Sequence, residues 1–233
     1  LDNVLSINKY PTKETKRAAQ KYRRVGLGIM GLHDLLLMMG LKYSSAEGLE
    51  FVNKLMHFIK ECSYQASIDL AKEKGNFDIF NFEGYSKSEF YQSLSDSLKD
   101  QIKTTGIRNC ALLSIAPTGT ISAVCGVTSG VEPIFSYAYK RKYFKGDHLE
   151  VENIIHPLYK DFIESGKNVD HFQSSYDLSV KDHLEIQKVC QKHLDQAISK
   201  TVNIPANYPK EELYDLFLEY LPYLKGLTIY VDG

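Results

Sequence analysis

The 233-residue sequence lacks any apolar run of about 18 residues, the length that a membrane-spanning helix requires. It begins with LDNVLSINKYP, which lacks the basic and apolar regions of a secretory signal peptide. It also lacks an excess of either charge, because 28 basic residues face 29 acidic ones. A chain with this balance carries no electrostatic footprint for nucleic acid or for an anionic membrane. We therefore expect neither nucleic acid nor a membrane as a partner.

Cysteine is scarce and poorly spaced for metal binding. None of Cys62, Cys110, Cys125 and Cys190 forms a Cys-x-x-Cys pair, and no histidine stands near them at zinc-site spacing. We expect packed or surface thiols in a reducing compartment, which predicts a cytoplasmic protein without a metal site. The sequence also lacks an initial methionine and stops just after a strand-like run, so we expect a fragment of a longer chain.

Apolar spacing predicts long helices in the first third of the chain and alternating strands and helices after it. Helical spacing runs over 12–40 and 44–75. Further helices are predicted over 88–105, 150–165 with an interruption at Pro157, 179–199 and 209–224. Strands are predicted over 108–116, 134–144, 200–205 and 226–231. This order predicts an α/β protein with parallel strands, organised as a single domain over 1–233.

Three glycines, Gly26, Gly28 and Gly31, match the Gly-x-Gly-x-x-Gly pattern of dinucleotide-binding loops. That pattern binds a dinucleotide when it follows a strand and opens a helix. Here it follows the charged, helix-like stretch KETKRAAQKYRRV. We therefore predict that these glycines lie within a helix or at a bend of one, where they permit close packing.

The stretch LLSIAPTGTISAVCG places hydroxyl residues and one glycine between two apolar runs that both look buried. At Gly119 a ligand could approach the main chain closely, and Thr118, Thr120 and Ser122 supply hydroxyl donors. A helix that begins here has unpaired N–H groups and a dipole that favours an anion. The pattern fits a phosphate cradle, and it fits equally a plain helix cap made by Thr118 or Thr120.

The longer stretch RNCALLSIAPTGTISAVCGVTSGVEPIFSYAYKR resembles a segment of the large catalytic subunit of ribonucleotide reductase. Four other stretches resemble segments of the same family in the same order: RRVGLGIMGLHDLL, ASIDLAKEKGNF, HLDQAISKTVNIP and KGLTIYVDG. The resemblance implies that the chain is the carboxyl-side part of a ten-stranded α/β catalytic barrel. It also implies a role in converting ribonucleotides to the deoxyribonucleotides used in DNA replication.

In that family the Pro-Thr-Gly-Thr turn binds the phosphate groups of the substrate. The resemblance therefore implies a binding site for a ribonucleoside di- or triphosphate at Pro117, Thr118, Gly119, Thr120, Ile121 and Ser122. The family's radical cysteine and base lie in an Asn-x-Cys-x-Glu loop, and this sequence contains no such loop. We therefore assign no catalytic residue to this chain. We interpret Cys110 and Cys125 as packed thiols and Glu132 as a structural residue.

The resemblance also implies a radical source and partners. Val231 follows Tyr230, where the class with a di-metal small subunit has a second tyrosine, and this favours adenosylcobalamin over such a subunit. The implied partners are the remaining amino-terminal part of the reductase, a thioredoxin-like electron donor and a second copy in a homodimer. Two alternatives stay open. One is a non-catalytic nucleotide-phosphate-binding module, such as a split-gene partner of a catalytic half, and the other is a helix-rich structural protein with a capped turn.

Overall fold

The computed structural model describes residues 1–145 and 148–231. Its helices are α1 Asp2–Ile7, α2 Lys13–Tyr22, α3 Leu32–Met38, α4 Ala46–Lys74, α5 Phe82–Tyr85, α6 Glu89–Gln92, α7 Asp96–Thr105, α8 Gly119–Cys125, α9 Pro157–Glu164, α10 Val180–Gln191 and α11 Lys210–Tyr220. Its strands are β1 Ala138–Lys145, β2 His148–Ile155, β3 Thr201–Ile204 and β4 Thr228–Val231.

Contacts divide the chain into two compact units, which are described separately below. The first unit comprises Leu1–Gly28, Asn53–Ile115 and Cys190–Ile198. The second comprises Ile29–Val52, Ala116–Val189 and Ser199–Gly233. Whether the whole of 1–233 acts as one domain stays a prediction.

Three extended segments lie side by side in the first unit. Isolated parallel bridges join Leu27 to Leu113 and Ile115 to Ile198. The strand predicted over 108–116 is therefore extended and buried at its centre, but it pairs at single residues and does not form a continuous ladder. Its parallel neighbours come from distant parts of the sequence, as is usual for parallel pairing.

The carboxylate of Asp195 fixes the central one of these segments. It accepts hydrogen bonds from the backbone N–H groups of Leu112 at 2.7 Å and Leu113 at 2.8 Å. The buried Tyr64 hydroxyl donates to the same carboxylate at 2.8 Å. One side chain thus satisfies three donors that would otherwise be buried without an acceptor, which is the arrangement that buried polar groups require.

The prediction that helical spacing continues through the glycine-rich stretch is wrong. Helix α2 ends at Tyr22, and Arg23 adopts a left-handed conformation with φ of 48°. The next residues are extended, because the N–H of Leu27 donates to Leu112 and the carbonyl of Leu27 accepts from Ser114. Gly28 packs so tightly that a Cβ there would lie 2.4 Å from the carbonyl oxygen of Ser114. Close packing is thus confirmed, but against an extended segment, because backbone atoms of Ser114 and Ile115 fill the space beside Gly28.

In the second unit, β3, α11 and β4 form a crossover with parallel pairing. The register joins Thr201 to Thr228 and Ile204 to Val231. Pro209 lies at the N-cap of α11, where its missing N–H costs no helical hydrogen bond. A core of five buried residues lies under this crossover: Val180, Leu184, Val202, Ile204 and Tyr220. The predicted strands over 200–205 and 226–231 and the helix between them are confirmed.

The helix predicted over 150–165 is half wrong. Residues up to Ile155 form β2, which pairs antiparallel with β1 from Ala138 opposite Ile155 to Lys145 opposite His148. Only α9, which starts at Pro157, is helical. Proline disfavours a helical conformation at the preceding residue, and the β-branched residues before it suit a strand. The local pattern alone did not reveal this hairpin partner.

The described residues fit the predicted α/β class. Their strands form two separate two-stranded sheets, one antiparallel and one parallel. A closed sheet is not formed by these residues, so the ten-stranded barrel stays a prediction. None of the helices in the described part of the chain combines the length and apolar character needed to cross a bilayer.

Candidate functional site

The predicted phosphate turn lies where the chain enters α8. Thr118 occupies the N-cap position with φ of 54°, but its side chain makes no capping hydrogen bond. Its hydroxyl instead accepts a hydrogen bond from the N–H of Gly130 at 2.8 Å. A cap made by the Thr118 side chain is therefore not the reason for this sequence, and Thr120 lies within the helix.

A second contact ties α8 to the same segment. Ser122 is only 2% exposed, and its hydroxyl lies 2.8 Å from the hydroxyl of Ser129. Both contacts join the turn to 129–130, so the turn and this segment form one polar assembly. Hydrogen bonds hold this assembly together.

The expectation that both flanks of the turn are buried is right only for the first. Leu112, Leu113 and Ile115 are buried, whereas Ile121 is 56% and Val124 is 83% exposed. Cys125 is exposed too, so its interpretation as a packed thiol is wrong. Helix α8 has seven residues, and Ser122 is its buried residue. Its apolar spacing therefore does not mark a core-facing helix.

A cavity of about 560 Å³ lies beside the turn, within the range of small-ligand sites. Of the six predicted phosphate-binding residues, Gly119 and Ser122 line it, and Pro117, Thr118, Thr120 and Ile121 do not. Hydroxyl and amide side chains line other parts of the wall: Thr128, Ser129, Ser175, Thr201 and Asn203. Three aromatic residues, Phe135, Tyr139 and Tyr230, also line the cavity.

Glu132 connects this wall to the start of β3. One carboxylate oxygen accepts from the N–H of Thr201 at 2.6 Å, and the other accepts from the ammonium of Lys200 at 2.8 Å. The side chain of Lys200 is completely buried, and it also lies 2.9 Å from Nδ1 of His183. The structural role assigned to Glu132 agrees with these contacts. Sequence reasoning missed Lys200 and His183 as buried partners of Glu132, because neither a lysine at the start of a predicted strand nor a histidine within a predicted helix carries a sign of burial.

Two buried side chains, Asp34 and His33, bind the backbone of other residues that line the cavity. The Asp34 carboxylate accepts from the N–H of Thr128 at 2.6 Å, and Nδ1 of His33 accepts from the N–H of Ile134 at 2.8 Å. His156 lines the cavity with Nε2 3.5 Å from Asp34, and burial lowers the pKa of His156 although Asp34 opposes this. His156 is therefore neutral at neutral pH. The neighbouring side chains of Asp34 and His33 hold the backbone of the cavity wall in place.

We expect acid to destabilise the protein, because it contains buried histidines whose pKa is lowered. Burial lowers the pKa of His33 from 6.5 to about 3, so the unfolded chain binds a proton that the folded chain rejects. The contribution of His33 to the free energy of unfolding is therefore complete above about pH 6.5 and falls by about 1.4 kcal/mol per pH unit below it. Urea unfolding at about pH 7 and about pH 5 measures this loss. His33→Asn, which keeps an acceptor for Ile134, should shrink the loss by about 2 kcal/mol. An unchanged loss in that variant would contradict the assignment.

The thiol of Cys110 is half-buried and is not activated as a nucleophile. Burial raises the pKa of the Cys110 thiol, although Arg24 opposes this, so the group is a protonated thiol and a poor nucleophile. Among 1–145 and 148–231, no group of three or more His, Cys, Asp or Glu side chains is placed to hold a metal ion.

Comparison with known proteins gives one consistent family. The model described as "Ribonucleotide reductase, barrel domain" matches residues 1–230. The vitamin B12-dependent ribonucleoside-diphosphate reductase of Mycobacterium tuberculosis is 30% identical over 255 residues, which cover 100% of this chain and 34% of that protein. The enzyme of the same name from Thermoplasma acidophilum is 31% identical, with coverage of 100% and 31%.

A relative with another name matches nearly as far. The ribonucleoside-diphosphate reductase subunit alpha of Helicobacter pylori (strain ATCC 700392 / 26695) is 30% identical, over 93% of this chain and 29% of that protein. The chain therefore spans about a third of the length of the curated relatives it matches. Because the family model covers nearly every residue, the chain belongs to the ribonucleotide reductase barrel-domain family.

Proposed function

We propose that this chain is part of a ribonucleotide reductase that converts ribonucleoside di- or triphosphates to deoxyribonucleotides, and so supplies DNA replication. The observation that carries the proposal is the family match over residues 1–230, with relatives that are named as ribonucleoside-diphosphate reductases. The reaction is a thiyl-radical reduction in which the ribose 2′-hydroxyl leaves as water. A pair of thiols supplies the two electrons and becomes a disulfide. This chain contributes no catalytic residue, because its sequence contains no Asn-x-Cys-x-Glu loop.

The part played by this chain is to bind the substrate phosphates at Pro117, Thr118, Gly119, Thr120, Ile121 and Ser122. The hydroxyl groups and the cavity of about 560 Å³ support this role. Gly119 supports it most directly, because it is exposed and a Cβ there would meet no atom within 4 Å. A phosphate oxygen therefore has open access to the main chain of the turn. Asn203 and Thr201 on the facing wall supply further polar groups.

Adenosylcobalamin is the proposed radical source, because relatives named vitamin B12-dependent match the entire chain. When bound, it would supply the initiating radical. The cavity beside the turn has the volume of a site for a small ligand and not for a corrin ring, so we assign no residue of this chain to it. A radical from a di-metal small subunit is the alternative, and the presence of Val231 after Tyr230 argues against the tyrosine pair used in that class.

The proposed partners follow from the same family. They are the remaining amino-terminal part of the reductase, a thioredoxin-like electron donor and a second copy in a homodimer, in the cytoplasm. The missing catalytic loop gives a direct test, which is to sequence the coding region upstream of Leu1. An Asn-x-Cys-x-Glu loop encoded there supports the reductase. Its absence from the surrounding region would leave a non-catalytic phosphate-binding module as the function.

The phosphate site itself is tested with Gly119→Ala. The added methyl group meets open space in the protein, so the thermal unfolding temperature should stay unchanged. It should block close approach of a phosphate and lower the affinity for cytidine diphosphate about tenfold or more. Isothermal titration calorimetry on the 233-residue chain measures the affinity.

Gly226→Ala is the matched control, because a Cβ at Gly226 also meets no atom within 4 Å and this residue does not line the cavity. It should bind cytidine diphosphate like the unchanged chain. Equal affinity of all three proteins would place the phosphates elsewhere, and no binding by the unchanged chain would contradict the proposed site.

A further inference from the structure

The cavity beside the turn has an unexpected charge for a phosphate site. Glu132 is the one Asp, Glu, Lys or Arg among its described lining residues. The lining histidine, His156, has a pKa that burial lowers, so it brings no positive charge at neutral pH. From the described lining residues, a bound phosphate would therefore face a carboxylate and no cation. Two negative charges repel each other, and the repulsion increases as the effective dielectric constant between them falls.

Lys200 lies directly behind this wall without lining the cavity. Its ammonium donates to Glu132 at 2.8 Å and to the carbonyl oxygen of Thr201 at 3.1 Å, and it lies 2.9 Å from Nδ1 of His183. The three contacts use the three donors of the ammonium group. The contact with His183 requires a neutral imidazole, and burial together with Lys200 lowers the pKa of His183 to about 3. The cation is thus fixed against the carboxylate that the cavity exposes.

We propose that Lys200 is the charge-compensating residue of the phosphate cavity, cancelling the negative charge of Glu132 so that the cavity accepts a phosphate. The inference rests on the proposed function and adds a residue to the same site. Glu132 is 27% exposed and Lys200 is completely buried, so the carboxylate faces the ligand and the cation does not. Lys200 acts through Glu132 and makes no contact with the ligand.

A purely structural ion pair predicts a different outcome, and the signs of the effects separate the two. If the pair only holds the wall, removing either partner weakens phosphate binding. If Lys200 compensates charge, removing it weakens binding, whereas removing the carboxylate does not. Glu132→Gln keeps an oxygen that can accept from the N–H of Thr201, so the change mainly removes the negative charge.

The experiment compares four forms of the 233-residue chain. They are the unchanged protein, Glu132→Gln, Lys200→Met and the double variant. Isothermal titration calorimetry with inorganic pyrophosphate at neutral pH gives the affinity, and thermal unfolding reports on folding. We expect Lys200→Met to bind about tenfold or more weakly. Glu132→Gln should bind at least as tightly as the unchanged protein. The double variant should return to within about threefold, because the wall has the same net charge.

Several results would overturn the proposal. Weakening by Glu132→Gln as large as that by Lys200→Met indicates a structural pair, and normal binding by a folded Lys200→Met indicates that no compensation is needed. If a single variant does not fold because it leaves one buried charge alone, the double variant decides, since neutral replacement of a buried pair is commonly tolerated. Loss of binding in a folded double variant rejects the proposal. No pyrophosphate binding by the unchanged chain rejects the proposed phosphate site as well, and so separates the two failures.

Discussion

Gly28→Ala is expected to lower the free energy of unfolding by about 3 kcal/mol, one of the two largest effects expected of a single substitution in this chain. A Cβ at Gly28 would lie 2.4 Å from the carbonyl oxygen of Ser114, and backbone cannot move aside as a side chain can. The methyl group would force apart the extended segments joined by the bridge between Leu27 and Leu113. Urea unfolding followed by circular dichroism measures the change.

Two other glycines provide a graded comparison within the same unit. A Cβ at Gly26 would lie 2.5 Å from Oγ of Ser114, which can rotate away, so Gly26→Ala should cost about 1 kcal/mol. A Cβ at Gly84 would meet Asn81 at an ordinary 3.5 Å, and alanine favours the helix there, so Gly84→Ala should be neutral or slightly stabilising. Equal effects at Gly28 and Gly84 would show that close packing at Gly28 is not what stabilises the segment.

Asp195→Ala is expected to lower the free energy of unfolding by roughly 4 kcal/mol. The carboxylate accepts from the backbone N–H groups of Leu112 and Leu113 and from the Tyr64 hydroxyl. Removing it leaves these donors without this acceptor in a buried region, and each such loss costs about 1–3 kcal/mol. The extended segment that leads to Pro117 then loses its anchor. Thermal and urea unfolding measure the loss.

Tyr64→Phe separates the role of the carboxylate from that of its hydroxyl partner. It removes one donor and keeps the ring in the core, so it should cost only about 1 kcal/mol. It should also leave both backbone bonds to Asp195 in place. A cost for Asp195→Ala no greater than that for Tyr64→Phe would mean that the backbone bonds contribute little.

Local pattern predicted much of the secondary structure. The long helix α4 begins and ends within two residues of its predicted limits, because its apolar spacing and the glycine that follows it are both local signals. The crossover from β3 through α11 to β4 was predicted for the same reason. The glycine-rich stretch was misread, because its extended conformation depends on a segment about 85 residues away. The β2 strand was misread because its partner is needed to distinguish a strand from a helix.

The candidate site, like the secondary structure, was predicted from the sequence only in part. The turn was located by residue type alone, since proline, glycine and hydroxyl residues have local consequences for the backbone. The prediction that its second flank is buried was wrong. Hydrogen bonds that join Ser122 and Thr118 to 129–130 attach α8 instead. The attachment of Glu132 to Lys200 and Thr201 could not be read from the sequence, because it joins residues almost 70 positions apart.

Local motifs and periodic spacing were enough to predict the family, the α/β composition and the position of the Pro-Thr-Gly-Thr turn, because they depend on neighbouring residues. Tertiary structure alone decided which of the six turn residues, Gly119 and Ser122, line the cavity. It also decided that a buried lysine lies behind the carboxylate in the cavity wall. The physical reason is that burial and charge pairing are properties of residues brought together in space, and a linear pattern does not specify which distant residues meet.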